Sequence, residues 1–267
     1  MRPLSLQQRI DQAVHEGRTA LIPFITAGFP EPERFAGIVR ELDASGADII
    51  EIGVPFSDPV ADGPVVEEAS RKALAAGVSL GWTLEQLAGL QSELAAGLVL
   101  MGYYNPFLQY GLERLAQDAA CAGVQGFIVP DLPLDEDGPL RAALAPHKLD
   151  LIALVGPNTG DERMRTYAAV ASGYVYAVSV MGITGVRREL PTDAALTVRR
   201  ARAAFSLPVA LGFGIHCPEQ IRAMPVPPQA VVFGSALLRH LAAGGSAKEF
   251  MEPWTQHRPA SPSRQTS

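Results

Sequence analysis

Two carboxylates set in and just after an apolar run give this sequence its clearest chemical signal. Glu51 interrupts Ile49-Ile50-Glu51-Ile52-Gly53-Val54, and a charge inside an apolar strand is costly to bury unless something pairs with it or uses it. Alternation with period two puts Ile50 and Ile52 on one face and Glu51 on the other. The next residues, Pro55-Phe56-Ser57-Asp58-Pro59-Val60-Ala61-Asp62-Gly63-Pro64, form a proline-stiffened loop that brings Asp58 and Asp62 near Glu51. Carboxylates gathered at one site can divide the work of general acid and general base. Structural roles stand beside this one. Glu51 could pair with an arginine, Asp58 could cap a turn, and Asp62 could cap a helix over Val65–Ala76.

Late in the chain the polar residues change character. Leu211-Gly212-Phe213-Gly214-Ile215 and Phe233-Gly234-Ser235-Ala236 place glycines where backbone N–H groups can approach a phosphate, and a helix starting near Ser235 points its positive end the same way. These loops hold no lysine, so the backbone is expected to do the binding. Ser179-Val180-Met181-Gly182-Ile183-Thr184-Gly185-Val186-Arg187-Arg188 reads either as a loop that closes on a ligand or as an ordinary connection. Lys72, Lys148 and Lys248 are the chain's lysines. None ends an expected strand, which leaves no amine for an imine mechanism. Of the five histidines only His216 lies near a strand end, and Cys121 and Cys217 have no metal-ligand spacing. No metal site is expected, and the chemistry falls to carboxylates.

The elements that must position these groups alternate. Strands are expected at Thr19–Thr26, Asp48–Val54, Leu98–Met101, Gly126–Val129, Asp150–Val155, Tyr174–Val178, Pro208–Gly212 and Ala230–Gly234, mostly as continuous Val/Ile/Leu runs of the kind found in parallel sheets covered by helices. Helical spacing recurs between them, in Phe35, Ile38, Val39 and Leu42, in Leu84, Leu87, Leu90 and Leu94, and in Leu112, Leu115 and Ala119. Gly46, Gly77, Gly123 and Gly173 sit where such helices should stop. Eight strands alternating with helices predict a single (β/α)8 TIM barrel, and an extra N-terminal helix is expected near Leu4–His15. In such barrels the active site lies at the C-terminal ends of the strands. The 267 residues, 48 % hydrophobic and 19 % charged, suffice for one domain over residues 1–256, with residues 257–267 as a disordered tail. A net charge of −6 from 22 Lys+Arg against 28 Asp+Glu argues against a nucleic-acid partner. Neither a signal sequence nor a membrane span is apparent, so a cytoplasmic location is expected.

Phe24-Ile25-Thr26-Ala27-Gly28-Phe29-Pro30, the Glu51-to-Pro64 stretch and Gly182-Ile183-Thr184-Gly185 strongly resemble the tryptophan synthase α subunit family. Tyr103-Tyr104-Asn105-Pro106, Asp131-Leu132-Pro133, Gly212-Phe213-Gly214 and Gly234-Ser235 follow in the family's order. The resemblance runs from about Leu6 to Leu241. It implies a lyase of tryptophan biosynthesis that cleaves indole-3-glycerol phosphate to indole and glyceraldehyde 3-phosphate. It implies Glu51 as the general acid/base, and Asp62 as the acceptor of a hydrogen bond from the indole N–H. It implies that Phe24, Tyr103 and Tyr176 line the pocket, and that Thr184 orients Asp62. By the same resemblance Gly185, Gly212, Phe213, Gly214, Gly234 and Ser235 grip the phosphate. It implies no metal and no cofactor in this chain. Pyridoxal phosphate would belong to a β subunit, the partner in an α2β2 complex.

Glu67 stands where the family usually has Gln, and Ile183 where Val is commoner; neither is expected to touch the chemistry directly. The proline-heavy stretch Met224-Pro225-Val226-Pro227-Pro228-Gln229 puts the seventh helix in question. Two other readings remain at this point. One is a different phosphate-sugar barrel enzyme, such as an isomerase, and the other is an idle chain kept as the activator of a β subunit.

Overall fold

The apolar runs become strands that all pair in parallel. They are β1 (Ala20–Thr26), β2 (Ile49–Gly53), β3 (Gly97–Met101), β4 (Val124–Ile128), β5 (Asp150–Leu151), β6 (Ala153–Val155), β7 (Val175–Val178), β8 (Val209–Gly212) and β9 (Ala230–Phe233). The computed structural model describes residues 3–178, 192–212 and 214–256. Sheet order is β5-β4-β3-β2-β1-β9-β8-β7-β6, so the two ends of the sheet are consecutive pieces of one chain segment. β5 pairs with β4 and β6 with β7, while Ile152 between them donates its N–H to the Phe127 carbonyl at 2.9 Å. The expected fifth strand thus exists as two halves that serve different neighbours, and the sheet closes on itself through Ile152. The fold is a TIM barrel.

Helices surround it: α1 (Leu6–His15), α2 (Pro32–Ala44), α3 (Pro64–Ala75), α4 (Leu80–Leu90), α5 (Tyr104–Tyr110), α6 (Leu112–Cys121), α7 (Gly138–Leu144), α8 (Asp161–Ala168), α9 (Thr192–Ala204), α10 (Pro218–Arg222), α11 (Ser235–Ala242) and α12 (Ala247–Thr255). Phe35, Ile38, Val39 and Leu42 form the buried face of α2, and Gly46 ends that segment in the left-handed region at φ 87°, where a side chain would be strained. Gly173 differs from the expectation, because α8 already ends at Ala168 and the glycine turns the chain into β7 instead. α10 is a single short helix, so the proline-heavy stretch after it does shorten the seventh helical connection. Gln229 then stitches three strands together. Its carbonyl accepts from Ala20 N–H at 2.9 Å, its N–H donates to the Val209 carbonyl, and its side-chain oxygen accepts from Val209 N–H at 3.0 Å.

Period-two alternation along β2 divides two cores. Ile50 and Ile52 join the apolar layer between strands and helices, while Ile49 joins the barrel interior with Phe24, Val99, Tyr174 and Tyr176. The N-terminal helix closes the bottom of that interior. Ser5, expected inside this helix, instead caps it in a reciprocal pair with Gln8 (2.9 and 3.3 Å), so the helix starts at Leu6 and Leu4 stays outside. Leu6, Ile10 and Ala13 of α1 are fully buried there. Leu6 packs so closely that a Cβ added at Gly97 or Gly126 would lie 2.9 Å from its methyl carbons. With the bottom plugged by apolar side chains, the accessible polar groups of the interior lie toward the C-terminal ends of the strands.

Candidate active site

Glu51 projects into the barrel interior from the middle of β2, between its register partners Phe24 of β1 and Val99 of β3. It has 0 % exposure, and neither carboxylate oxygen has a hydrogen-bond partner among the described residues. The arginine partner that a structural role would require is absent among those residues. Burial without a partner disfavours the charged form, and the Glu51 carboxyl is pushed up to about 8, first by loss of solvent and then by the negative charge of Asp62. At neutral pH this is a protonated acid.

Asp62 reaches the same space from the loop that follows β2. It does not cap α3, whose N-cap is Gly63 with no side-chain capping bond. Burial raises its carboxyl to about 6, while a hydrogen bond from Tyr103 lowers it and the charge of Glu67 raises it. Glu67 therefore does bear on the carboxylate pair, through charge. Tyr103, at the N-cap of α5, fastens the loop: its hydroxyl accepts from Ala61 N–H at 3.0 Å, and its ring lies 5.2 Å from that of Phe56. Asp58, by contrast, is exposed and bonds to its neighbour Ser57. Of the two loop aspartates, only Asp62 joins Glu51.

A cavity of about 90 Å³ connects this pair to the ends of β8 and β9, and Phe24, Glu51, Asp62, Tyr176, Gly214, Gly234 and Ser235 all line it. At its far side α11 begins at Ser235 with Gly234 as N-cap, presenting backbone N–H groups that have no partner within the helix. Gly234 approaches Phe24 so closely that a Cβ there would lie 2.7 Å from the ring. Gln220 braces the loop after β8, accepting from His216 N–H at 2.8 Å and from Cys217 N–H at 3.3 Å, and donating to the Gly214 carbonyl at 3.3 Å. None of the lysines lines the cavity.

The expected site residues thus largely converge, with two qualifications. Tyr103 lines an adjoining small recess shared with Phe24 and Asp62. Gly212 is not among the residues lining the main cavity, and the hydroxyl of Tyr176 occupies the space a Cβ at Gly212 would need. Thr184, Gly185, Phe213 and the 179–188 loop lie outside the described residues. Sequence reasoning missed three participants. Tyr174 is fully buried with its hydroxyl unpartnered among the described residues, and its phenol is raised by burial and by Glu51. Its spacing of two from Tyr176 was the available signal. Arg239 lines the cavity one helical turn beyond Ser235; its i, i+4 position could have disclosed it. Gln220 shows no such pattern.

Comparison with known proteins decides the family. The family model described as "Tryptophan synthase alpha chain" matches residues 10–258. The chain belongs to the tryptophan synthase alpha chain family. The alpha chain of Nitratidesulfovibrio vulgaris (strain DP4) is 65 % identical over 251 residues, covering 94 % of this chain and 98 % of that relative. The alpha chain of Solidesulfovibrio magneticus is 60 % identical over 249 residues, covering 93 % and 97 %. Among solved structures, Mycobacterium tuberculosis tryptophan synthase superposes with a TM-score of 0.86 at 34 % identity, covering 97 % of this chain and 100 % of that one. Tryptophan synthase subunit alpha of Legionella pneumophila gives 0.82 at 31 %, covering 93 % and 94 %.

Proposed function

We propose that this alpha chain is the lyase that cleaves indole-3-glycerol phosphate to indole and glyceraldehyde 3-phosphate. One observation carries the reading: two carboxyl groups face one cavity with their pKa values pushed apart, about 8 for Glu51 and about 6 for Asp62. Between those values one is an acid and the other an anion, the division of labour a proton-shuttling lyase needs. Glu51 delivers its proton to the indole ring carbon that bears the glycerol chain. Asp62 accepts a hydrogen bond from the indole N–H and offsets the positive charge of the resulting indolenine. The Glu51 carboxylate then takes the proton of the adjacent hydroxyl as the carbon–carbon bond breaks. The bonding electrons return to the indole ring, the aldehyde forms, and Glu51 is protonated again.

The N-terminus of α11 with Gly234 and Ser235, and the loop at Gly214, supply the phosphate end of the site, which supports a phosphorylated substrate. By the family pattern Gly185, Gly212 and Phe213 complete that grip, and Thr184 orients Asp62. The reading needs no cofactor in this chain. Pyridoxal phosphate belongs to a β subunit, which receives the indole in a cytoplasmic α2β2 assembly. The test is indole release from indole-3-glycerol phosphate by the purified chain, alongside Asp62→Asn. The wild type should turn over and the variant should be severely impaired. No indole from the wild type, with or without a β subunit, would contradict the reading.

A further inference from the structure

The charges around the cavity are not balanced for its proposed ligand. Its lining holds two carboxyl groups, Glu51 fully buried and unpartnered among the described residues, and Asp62. A phosphate ester dianion entering the same cavity is repelled by any ionised carboxylate there, and little water screens charges in such a space. Among the described lining residues, Arg239 is the only permanently charged cation.

Arg239 is also one of the described arginines that have no ion pair. Arg18, Arg40, Arg71, Arg114, Arg141, Arg200 and Arg222 each meet a carboxylate within 4.0 Å, whereas no such partner is found for Arg239 among the described residues. Its place on α11 makes it useful to an anion. Side chains at i and i+4 share a helix face, and helical side chains lean back toward the N-terminus. Arg239 is exposed and lines the same cavity as Gly234, Ser235 and Ala236, so a guanidinium at that position can reach back over the turn that starts at Ser235. Guanidinium and phosphate match in shape as well as charge.

We infer that Arg239 is a specificity-determining residue that holds the substrate's phosphate dianion at the mouth of the cavity and offsets its repulsion by the carboxylate pair. This inference rests on the substrate reading above. It replaces the expectation, drawn from the lysine-free loops, that backbone groups act alone. A purely structural role for Arg239 also exists, since a cation in the last turn of a helix favours the helix dipole. The test must therefore separate phosphate recognition from stability.

Binding of 3-indolepropanol phosphate and of unphosphorylated 3-indolepropanol is measured by calorimetry for the full chain and for Arg239→Gln and Arg239→Lys. Loss of one charge-assisted contact should weaken the phosphorylated ligand about ten- to a hundredfold in Arg239→Gln and leave the alcohol within about twofold. Arg239→Lys should recover most of the difference, because a point charge survives. In the cleavage reaction KM should rise in Arg239→Gln while kcat changes little. Equal weakening of both ligands, or no change in either, would overturn the inference. A wild type that binds neither ligand would instead overturn the substrate reading.

Discussion

Glu51→Gln should make the protein more stable as the pH rises, while removing its activity. The Glu51 carboxyl has a pKa of about 8 in the folded chain against 4.5 without burial. A raised folded-state value means that the folded chain holds this proton more tightly than the unfolded chain. The contribution to stability is then complete below pH 4.5, declines as the pH rises, and levels off above about 8. At 1.36 kcal/mol per unit, the part lost between pH 5.5 and 7.5 is about 2–3 kcal/mol. An amide at this position does not ionise, so the variant escapes that loss. It adds its own buried dipole, but as an offset that does not vary with pH. Urea denaturation of wild type and variant at pH 5.5, 6.5 and 7.5 reads the effect directly. The variant's stability relative to wild type should grow by about 2–3 kcal/mol across that range. A difference that stays constant would mean that folded Glu51 is already ionised across that range, as it is in the unfolded chain, and the argument from its unpartnered burial would fail.

Other outcomes follow from the same geometry. With Asp62 needed as the anion and Glu51 as the acid, kcat/KM should be bell-shaped, falling below about pH 6 and above about pH 8. Tyr103→Phe removes a hydrogen bond that favours ionised Asp62 and should move the acid limb up; Glu67→Gln removes a neighbouring negative charge and should move it down. Limbs that stay put in both variants would refute the assignment of that limb to Asp62. Gly234→Val should drive Phe24 into the cavity and raise KM about tenfold or more, and an unchanged KM would mean that the Phe24 contact does not shape the site. The loop carrying Asp62 also exposes Val60, at 81 %, where a β subunit could press on it. Adding that subunit should raise the rate of indole release, and equal rates with the complex confirmed by sedimentation would refute the coupling.

The barrel and a carboxylate site at the end of β2 were legible in the sequence for a common reason, that both are written in local patterns, whereas the choice of Asp62 over Asp58 came from the family resemblance. The alternation in Ile49-Ile50-Glu51-Ile52 predicts which side of β2 faces the helices, and the structure sorts Ile50 and Ile52 into that layer. The apolar face of α2 was equally plain. Less legible were features that depend on partners distant in sequence. The break at Ile152 exists because one segment must pair with β4 and then β7, a closure no local run records. That Asp62 is held by Tyr103 and lies near Glu67 in charge was not predictable from spacing, because the loop's path decides it. Gly212 reads as a phosphate-facing glycine, and the hydroxyl of Tyr176, which fills the space a Cβ there would need, adds a second reason for glycine that no local run records. Arg239 lies outside the loops that carry the glycine pattern, on a helix that can deliver its fifth residue back to its own first turn.

Cleavage of indole-3-glycerol phosphate by wild type and Glu51→Gln in parallel, with the affinity of 3-indolepropanol phosphate measured for both, tests the central claim most directly. The account predicts indole release by the wild type and a loss of at least ~10²–10⁴-fold in the variant, with ligand affinity within a few-fold. Near-normal turnover by Glu51→Gln would contradict it.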